Sequence, residues 1–178
     1  MATKKKTSLR PPRGIRNNNP LNIRRGKTPW NHEVRRLPYI NQKGEVMPNT
    51  WQMDEEFCQF EEMKYGWRAA FLLLKKYINV KGCDTIRKII NRWAPPSEND
   101  TAGYIDYVVN LSGGDADSVI DFNTVATLNL AAAMCVVENG VKYDPFAMGN
   151  EHLLNAMCEG QKMAQLCVDY QQKKKSDQ

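Results

Sequence analysis

The chain has 178 residues and a net charge of +5, a length that fits one domain with a single buried core. It holds no run of about 18 apolar residues, so we expect no transmembrane segment, and its lysine-rich start lacks the apolar stretch of a secretory signal, which predicts synthesis in the cytoplasm. Five cysteines without C-x-x-C spacing and two separated histidines predict reduced thiols, no metal site and no cofactor.

The positive charge is concentrated in the first 36 residues, which carry eleven lysines and arginines against one acid, Glu33. Such a segment can neutralise nucleic-acid phosphates, bind anionic cell-wall polymers or remain a solvated tail. Its basic residues lie in predicted coil and turn rather than along one helical face, so nucleic-acid binding is the weaker interpretation. Residues 1–12 are predicted to form a flexible basic arm.

An amide-rich stretch follows the arm, with four asparagines within six positions: Asn17, Asn18, Asn19 and Asn22. Asparagine competes with the backbone for hydrogen bonds and favours turns. The stretch is therefore either a turn that leads into the first ordered element, or a substrate-binding turn whose amides suit the hydroxyl and acetamido groups of a sugar. Prolines and glycines punctuate the chain as far as residue 60, which predicts irregular structure with a short hairpin around residues 41–44.

Apolar periodicity predicts about five helices in the rest of the chain. Their expected ranges are 65–81, 85–94, 101–112, 123–139 and 149–170. Asp84 and Asp100 are the predicted N-caps of the second and third helices, and Val125, Cys158 and Cys167 are expected to face inward. Residues 13–172 are thus predicted to form one mostly α domain with an irregular N-terminal third, followed by a polar tail at 173–178.

Several stretches resemble one family of phage and prophage proteins. Residues 14–24 are similar to the G-I-R-N-N-N-P-G-N-I-R opening of that family, and also to the N-N-x-F-G-I segment of bacterial glucosaminidases. Further matches follow in order at residues 57–60 with 65–69, at 89–101 with Tyr104, and at Glu138-Asn139-Gly140. Members of the family are described as virion structural proteins or as lysozyme-like peptidoglycan hydrolases. The resemblance implies a lysozyme-like fold that cleaves β-1,4 bonds of the glycan strand, as a muramidase, a glucosaminidase or a lytic transglycosylase does.

One acid, Glu138, stands out because eight consecutive small or apolar residues precede it at the C-terminal end of a predicted helix. A negative charge there opposes the helix dipole, and the dipole and burial both push the pKa of the carboxyl upward. A raised pKa suits a general acid that protonates a glycosidic oxygen. The alternative is a structural role, in which Glu138 only accepts hydrogen bonds from backbone amides of the turn at Gly140.

The resemblance also implies where Glu138 belongs in the fold. Glucosaminidase-type enzymes carry a helix that ends in a catalytic Glu shortly before the N-N-x-F-G-I turn, whereas nothing upstream of Asn17 can supply such a helix here. The helix that ends in Glu138 would supply it from the other end of the chain, which predicts a circularly permuted lysozyme-like fold. In that fold Glu138 and the amide-rich turn meet across one groove.

Two further residues are candidates for the same site. Glu98 is either a second catalytic carboxylate that activates water, or a structural acid that belongs to the first turn of a helix or pairs with Arg92. Tyr104 is expected to line the groove with the asparagines, unless it belongs to the core. The acids at 54–56 are predicted to form a solvated face.

Leu21 stands where the family has Gly, and it would be strained if that position required a positive φ.

Three classes of function remain open from the sequence. The first is a peptidoglycan hydrolase, which acts at the cell wall after delivery or release, or from within the virion. The second is a non-enzymatic virion or cell-wall-binding protein with the same fold, whose partners are peptidoglycan and other phage or secretion-apparatus proteins. The third is a nucleic-acid-associated protein that acts through the basic arm, and it is the weakest of the three.

Overall fold

The computed structural model describes residues 10–34, 39–40, 43–47 and 54–176. The helices are α1 (Arg13–Arg16), α2 (Met63–Lys81), α3 (Ile86–Trp93), α4 (Thr101–Ser112), α5 (Val125–Asn139) and α6 (Glu151–Ser176), with a 3-10 turn at Val141–Tyr143. Two short strands, β1 (Tyr39–Ile40) and β2 (Val46–Met47), pair antiparallel, which confirms the predicted hairpin. The mostly α class is confirmed as well, whereas most of the predicted basic arm lies outside the described residues.

The core is organised around α5, whose residues from Leu130 to Val136 are all buried. A helix that is apolar on every side must be enclosed by its neighbours, and α4 and α1 pack against it. The alanines in this run let these neighbours approach closely. The position of Glu138 at the end of a buried helix therefore follows directly from the apolar run that precedes it.

A second pair of helices, α2 and α6, packs together along most of its length. Trp67, Phe71, Leu74 and Ile78 form the buried face of α2, as their spacing predicts. Gly160 allows the close contact, since a Cβ there would lie only 2.7 Å from the backbone oxygen of Lys64.

Three expected inward positions are wrong. Val125 is exposed because it is the first residue of α5, and Cys158 is exposed while Cys167 is only partly buried. The buried stripe of α6 instead follows Leu153, Met157, Gly160, Ala164 and Val168, and both cysteines lie one position away from it. Helix α6 also continues through residues 173–176, within the segment predicted to be a polar tail.

The helix caps separate one correct prediction from one error. The side chain of Asp100 accepts a hydrogen bond from the Gly103 amide, which confirms it as the N-cap of α4. Asp84 does not cap α3. Thr85 caps it by accepting from the Lys88 amide, while Asp84 pairs with the Lys88 ammonium at 2.7 Å.

We therefore expect Thr85→Ala to lower the free energy of unfolding by about 1 kcal/mol, the usual loss for an N-cap. Asp84→Ala should have a smaller effect, because it removes only an exposed ion pair. Urea unfolding followed by circular dichroism measures both changes. An equal or larger loss of stability for Asp84→Ala would contradict the assignment of Thr85 as the N-cap.

Within the described part of the chain, no helix combines the length and the apolar character that crossing a membrane requires.

Candidate active site

The amide-rich turn is attached to a neighbouring segment of the chain through Asn19, which is fully buried. Its side-chain amide donates to the backbone oxygens of Ile23 at 3.0 Å and Cys58 at 2.9 Å, and its oxygen accepts from the Ile23 amide at 2.9 Å. All of its polar atoms are therefore used inside the protein. The predicted substrate-binding role of Asn19 is not supported, because a ligand cannot reach it.

Two other asparagines also serve the turn itself. Asn17 is buried and donates to Asp54 Oδ2 at 2.9 Å, and Asn18 donates to the Phe60 backbone oxygen at 3.0 Å. Neither residue lines the cleft beside Glu138. Their side chains fix the turn against residues 54–61, so the interpretation of this part as a structural turn is the better one.

Leu21 fits the turn without strain. The residues that adopt positive φ are Asn18, at 50°, and Asn22, at 49°, a conformation that asparagine tolerates. Leu21 is not among them, and its side chain is fully buried in the core. The substitution of Leu for the family's Gly therefore adds an apolar contact and leaves the backbone of the turn in an allowed conformation.

Asn22 is the asparagine that connects the turn to Glu138. Its side-chain amide donates to Glu138 Oε2 at 2.7 Å, although 116 positions separate the two residues. Asn139 holds the same junction from the other side, because its amide donates to the Pro20 backbone oxygen at 2.8 Å. Gly14 fits beneath them, where a Cβ would overlap the Asn139 side-chain oxygen. The predicted meeting of the turn and Glu138 is thus realised by Asn22 alone among the four asparagines.

Three donors surround the Glu138 carboxyl. Besides Asn22, the Tyr104 hydroxyl donates to Oε1 at 3.0 Å, and the side chain of Trp93 forms a further hydrogen bond. Burial raises the pKa of Glu138 above its usual value, and the three hydrogen bonds oppose that rise without cancelling it. The predicted upward shift is confirmed, with burial as its largest cause. Burial likewise raises the pKa of Tyr104 well above its normal range, so this hydroxyl remains a donor.

Glu138 lies at the wall of a cleft of about 450 Å³. Three aromatic residues line this cleft, Phe57, Tyr77 and Trp93, and such rings provide flat faces on which a sugar ring can stack. The charged side chains along it are Arg24, Arg92, Glu98 and Glu138. A volume of this size lies within the range of ordinary ligand sites, and it leaves Glu138 accessible from the cleft.

A larger cleft, of about 950 Å³, is lined by Asn17 of the amide-rich turn and by Asp54 and Glu56. Burial raises the pKa of Asp54. Hydrogen bonds from Asn17 and backbone amides, together with the charge of Arg13, lower it by more, so the net shift of the pKa is downward. An acid of this kind is a poor proton donor. The side chain of Asp54 is only 11% exposed and that of Glu56 is 62% exposed, so the predicted solvated acidic face is correct for Glu56 and wrong for Asp54.

Glu98 lines the same cleft as Glu138 but has a different environment. Its Oε2 lies 3.3 Å from Arg24 Nη2, and it precedes the first residue of α4, Thr101. The prediction that Glu98 belongs to the first turn of a helix is wrong, because it lies before the N-cap of α4. The prediction that it pairs with Arg92 is wrong as well, because its ion-pair partner is Arg24 from the N-terminal third. Its catalytic role remains a prediction.

Sequence reasoning missed three residues of the site: Trp93, Asn139 and Arg24. No pattern in the sequence links Trp93 to the site, yet its half-buried side chain forms a hydrogen bond with Glu138. The sequence could have indicated Asn139, because an asparagine that directly follows a lone acid at the end of a helix is well placed to belong to the same site. No local pattern indicates Arg24, because its place beside Glu98 depends on how the N-terminal third folds back.

The Tyr104 hydrogen bond yields a prediction on pH dependence. It lowers the pKa of Glu138, so Tyr104→Phe should raise that pKa further and keep the carboxyl protonated to higher pH. If Glu138 acts as an acid, the alkaline limb of kcat should move to higher pH in the variant, as a pH–rate profile would show. Tyr107→Phe, a half-exposed tyrosine on the same helix, is the matched control and should not shift it. A shift to lower pH would contradict the assignment.

No family model matches the chain. The chain is similar to a protein named "Protein P5" from Pseudoalteromonas phage PM2, with 33% identity over 145 residues that cover 78% of this chain and 80% of the relative.

Proposed function

The chain belongs to the family of protein P5 of Pseudoalteromonas phage PM2, and from this premise we propose that it is a phage peptidoglycan hydrolase with Glu138 as its general acid. The observation that carries the proposal is the buried Glu138 carboxyl, with its raised pKa, at the wall of a cleft lined by aromatic rings. The bonds cleaved are β-1,4 bonds of the glycan strand. The enzyme would act at the cell wall, either from the virion or after release.

In the proposed reaction, protonated Glu138 donates its proton to the glycosidic oxygen, and the bond to the anomeric carbon breaks with development of positive charge on the sugar. Asn22 and Tyr104 each hold one carboxyl oxygen, which fixes the orientation of the acid toward the cleft. The sugar cation is then captured by water or by a hydroxyl of the same sugar. The first route is hydrolysis and the second is the lytic transglycosylase reaction.

Glu98 distinguishes these routes. In the hydrolytic route a second carboxylate activates the incoming water, and among the described residues Glu98 is the other carboxylate that lines this cleft. In the transglycosylase route Glu138 alone serves as acid and then as base. The exposed position of Glu98 and its pairing with Arg24 favour the single-acid route.

The proposal includes a lysozyme-like fold in circularly permuted order. Its support is the junction between Asn22 and Glu138, because a helix that ends in the acid comes late in the chain and yet abuts the amide-rich turn from its beginning. The run from Leu130 to Val136 before Glu138 is buried on all sides of the helix, as a central helix of such a fold requires.

The test is incubation of the purified protein with bacterial sacculi, followed by mass analysis of what is released. We expect soluble glycan fragments that end either in a new reducing sugar or in an anhydro sugar, and this end identifies the route. Boiled protein is the control. Release of free peptides alone, or no release between pH 4 and pH 8, would refute the proposal.

A non-enzymatic phage protein that binds the cell wall or another virion component is the second candidate. The relative is a phage protein, and an aromatic cleft can hold a glycan without cutting it. Stable sedimentation of the protein with sacculi, without any glycan release, would favour this function.

A further inference from the structure

The cleft beside Glu138 carries two arginines that cleavage of a neutral sugar chain does not require. Arg24 lies over the Phe57 ring, with its guanidinium carbon 5.2 Å from the ring centre, and Arg92 lies over the Tyr77 ring at 5.1 Å. The guanidinium group of arginine is a cation with several hydrogen-bond donors. The aromatic faces hold the two guanidinium groups in position on the lining of the cleft.

The two arginines differ in their acidic partners. Arg24 pairs with Glu98, whereas no carboxylate in the described part of the chain lies within ion-pair distance of Arg92. A cation fixed on an aromatic ring in a cleft, without an acid of its own, is suited to bind an anionic group of a ligand. Arginine in particular binds carboxylates through two parallel hydrogen bonds.

We propose that Arg24 and Arg92 bind carboxylates of the substrate, so that the cleft selects glycan strands that carry them over neutral strands. This inference rests on the proposed function. In peptidoglycan such carboxylates belong to the peptide attached to the muramyl sugar or, where that peptide has been removed, to the lactyl group whose carboxyl is then free. The same cleft would therefore recognise the charge of the strand beside the bond that Glu138 cleaves.

Glu98 pairs with Arg24 and therefore competes with a substrate carboxylate for it. The side chains of Arg24 and Glu98 are 65% and 58% exposed, and an ion pair between such exposed groups is weak. A substrate carboxylate can therefore replace Glu98 at little cost. Removal of the charge of Glu98 should then strengthen the binding of an anionic strand, whereas removal of Arg24 should weaken it.

The experiment compares soluble glycan strands that carry their peptides with the same strands after carbodiimide amidation, which removes the carboxylate charge. Calorimetry with the Glu138→Gln protein measures binding without cleavage, and initial rates with the active protein measure kcat/KM. We expect the native strand to bind about tenfold tighter than the amidated strand, as two charge-assisted contacts of modest strength would give. Arg24→Gln and Arg92→Gln should each reduce this preference about threefold, and Glu98→Gln should increase it.

The controls are Arg87→Gln and Asp117→Asn. These residues form an exposed arginine–acid pair that resembles Arg24 and Glu98 but lies outside the cleft of Glu138. They should leave the preference unchanged. An amidase removes the peptide and frees the lactyl carboxyl, which is then the only carboxylate of the strand. A preference for stripped strands over their amidated form shows that the arginines bind the freed lactyl carboxylate, and its absence there assigns the contact to the carboxylates of the peptide.

Equal binding of native and amidated strands, or an undiminished preference in both Arg24→Gln and Arg92→Gln, would overturn the inference. Loss of the preference in the control variants as well would overturn it by showing a general charge effect. These outcomes are separate from failure of the proposed function, which would appear as an absence of cleavage by the active protein. The binding measurement reports on Arg24 and Arg92 in either case.

Discussion

Glu138→Gln is expected to lower the rate of glycan release from sacculi by about 10³-fold, within the range seen for loss of a general acid. Glutamine matches glutamate in shape, but its amide is far too weak an acid to transfer a proton to the glycosidic oxygen. The measurement is the initial rate of new chain ends in the soluble fraction, for the wild-type and variant proteins at the same pH.

The variant should remain folded, because the surrounding groups can accommodate an amide. Tyr104 can still donate to the amide oxygen of the new side chain. The Asn22 side-chain oxygen has no hydrogen-bond partner in the described structure, so rotation of the Asn22 amide would let that oxygen accept from the new amide nitrogen. Unchanged circular dichroism and a similar melting temperature would verify this point.

Glu159→Gln is the matched control, since Glu159 is an exposed glutamate on α6, away from the cleft. It should retain full activity. If Glu138→Gln also retained activity, another acid would have to donate the proton, and Glu98 would be the first candidate because it lines the same cleft. Full loss in Glu98→Gln with activity kept in Glu138→Gln would reverse the assignment of roles.

The dependence on pH follows from the direction of the pKa shift. The proposed reaction requires the protonated form of Glu138, and burial raises its pKa, so this form persists to higher pH than for an ordinary glutamate. The rate should fall as pH increases through the raised pKa. Donation from Asn22, Tyr104 and Trp93 limits the rise, so these residues set the upper limit of the active range.

The sequence predicted the raised pKa of Glu138 because its cause is local: an acid that follows an apolar helix is forced into a buried position. The same local reasoning found the N-cap at Asp100. It failed at Asp84, because Thr85 is a capping residue as well, and the choice between them depends on where the chain pairs with distant residues. Thr85 forms a bridge with Val119, which no local pattern reveals.

The asparagines show the same limit at the site. Local pattern placed Asn17, Asn18, Asn19 and Asn22 in one turn, which is correct, but the direction of each amide depends on what lies opposite. Three of them meet residues 54–61 and become structural, whereas Asn22 meets Glu138. A turn of this kind therefore predicts a candidate site, but it does not identify which of its asparagines contacts Glu138.

The second large effect is expected for Gly66→Ala, which should lower the free energy of unfolding by about 3 kcal/mol, at the upper end of overpacking effects. A Cβ at Gly66 would overlap the backbone oxygen of Asn18 and come within 3.0 Å of Pro20. Because the obstacle is backbone rather than the end of a flexible side chain, α2 and the amide-rich turn must move apart. Urea unfolding measures the loss.

Displacement of the turn should also reduce activity in the protein that remains folded, since it would move Asn22 away from Glu138. Gly26→Ala is the matched control in the same N-terminal third: its Cβ would lie 3.8 Å from the Thr28 backbone oxygen, an ordinary contact. It should change neither stability nor activity by a measurable amount. A Gly66→Ala protein with wild-type stability would show that the turn does not pack against α2 as described, and the link between Asn22 and Glu138 would then lose its structural support.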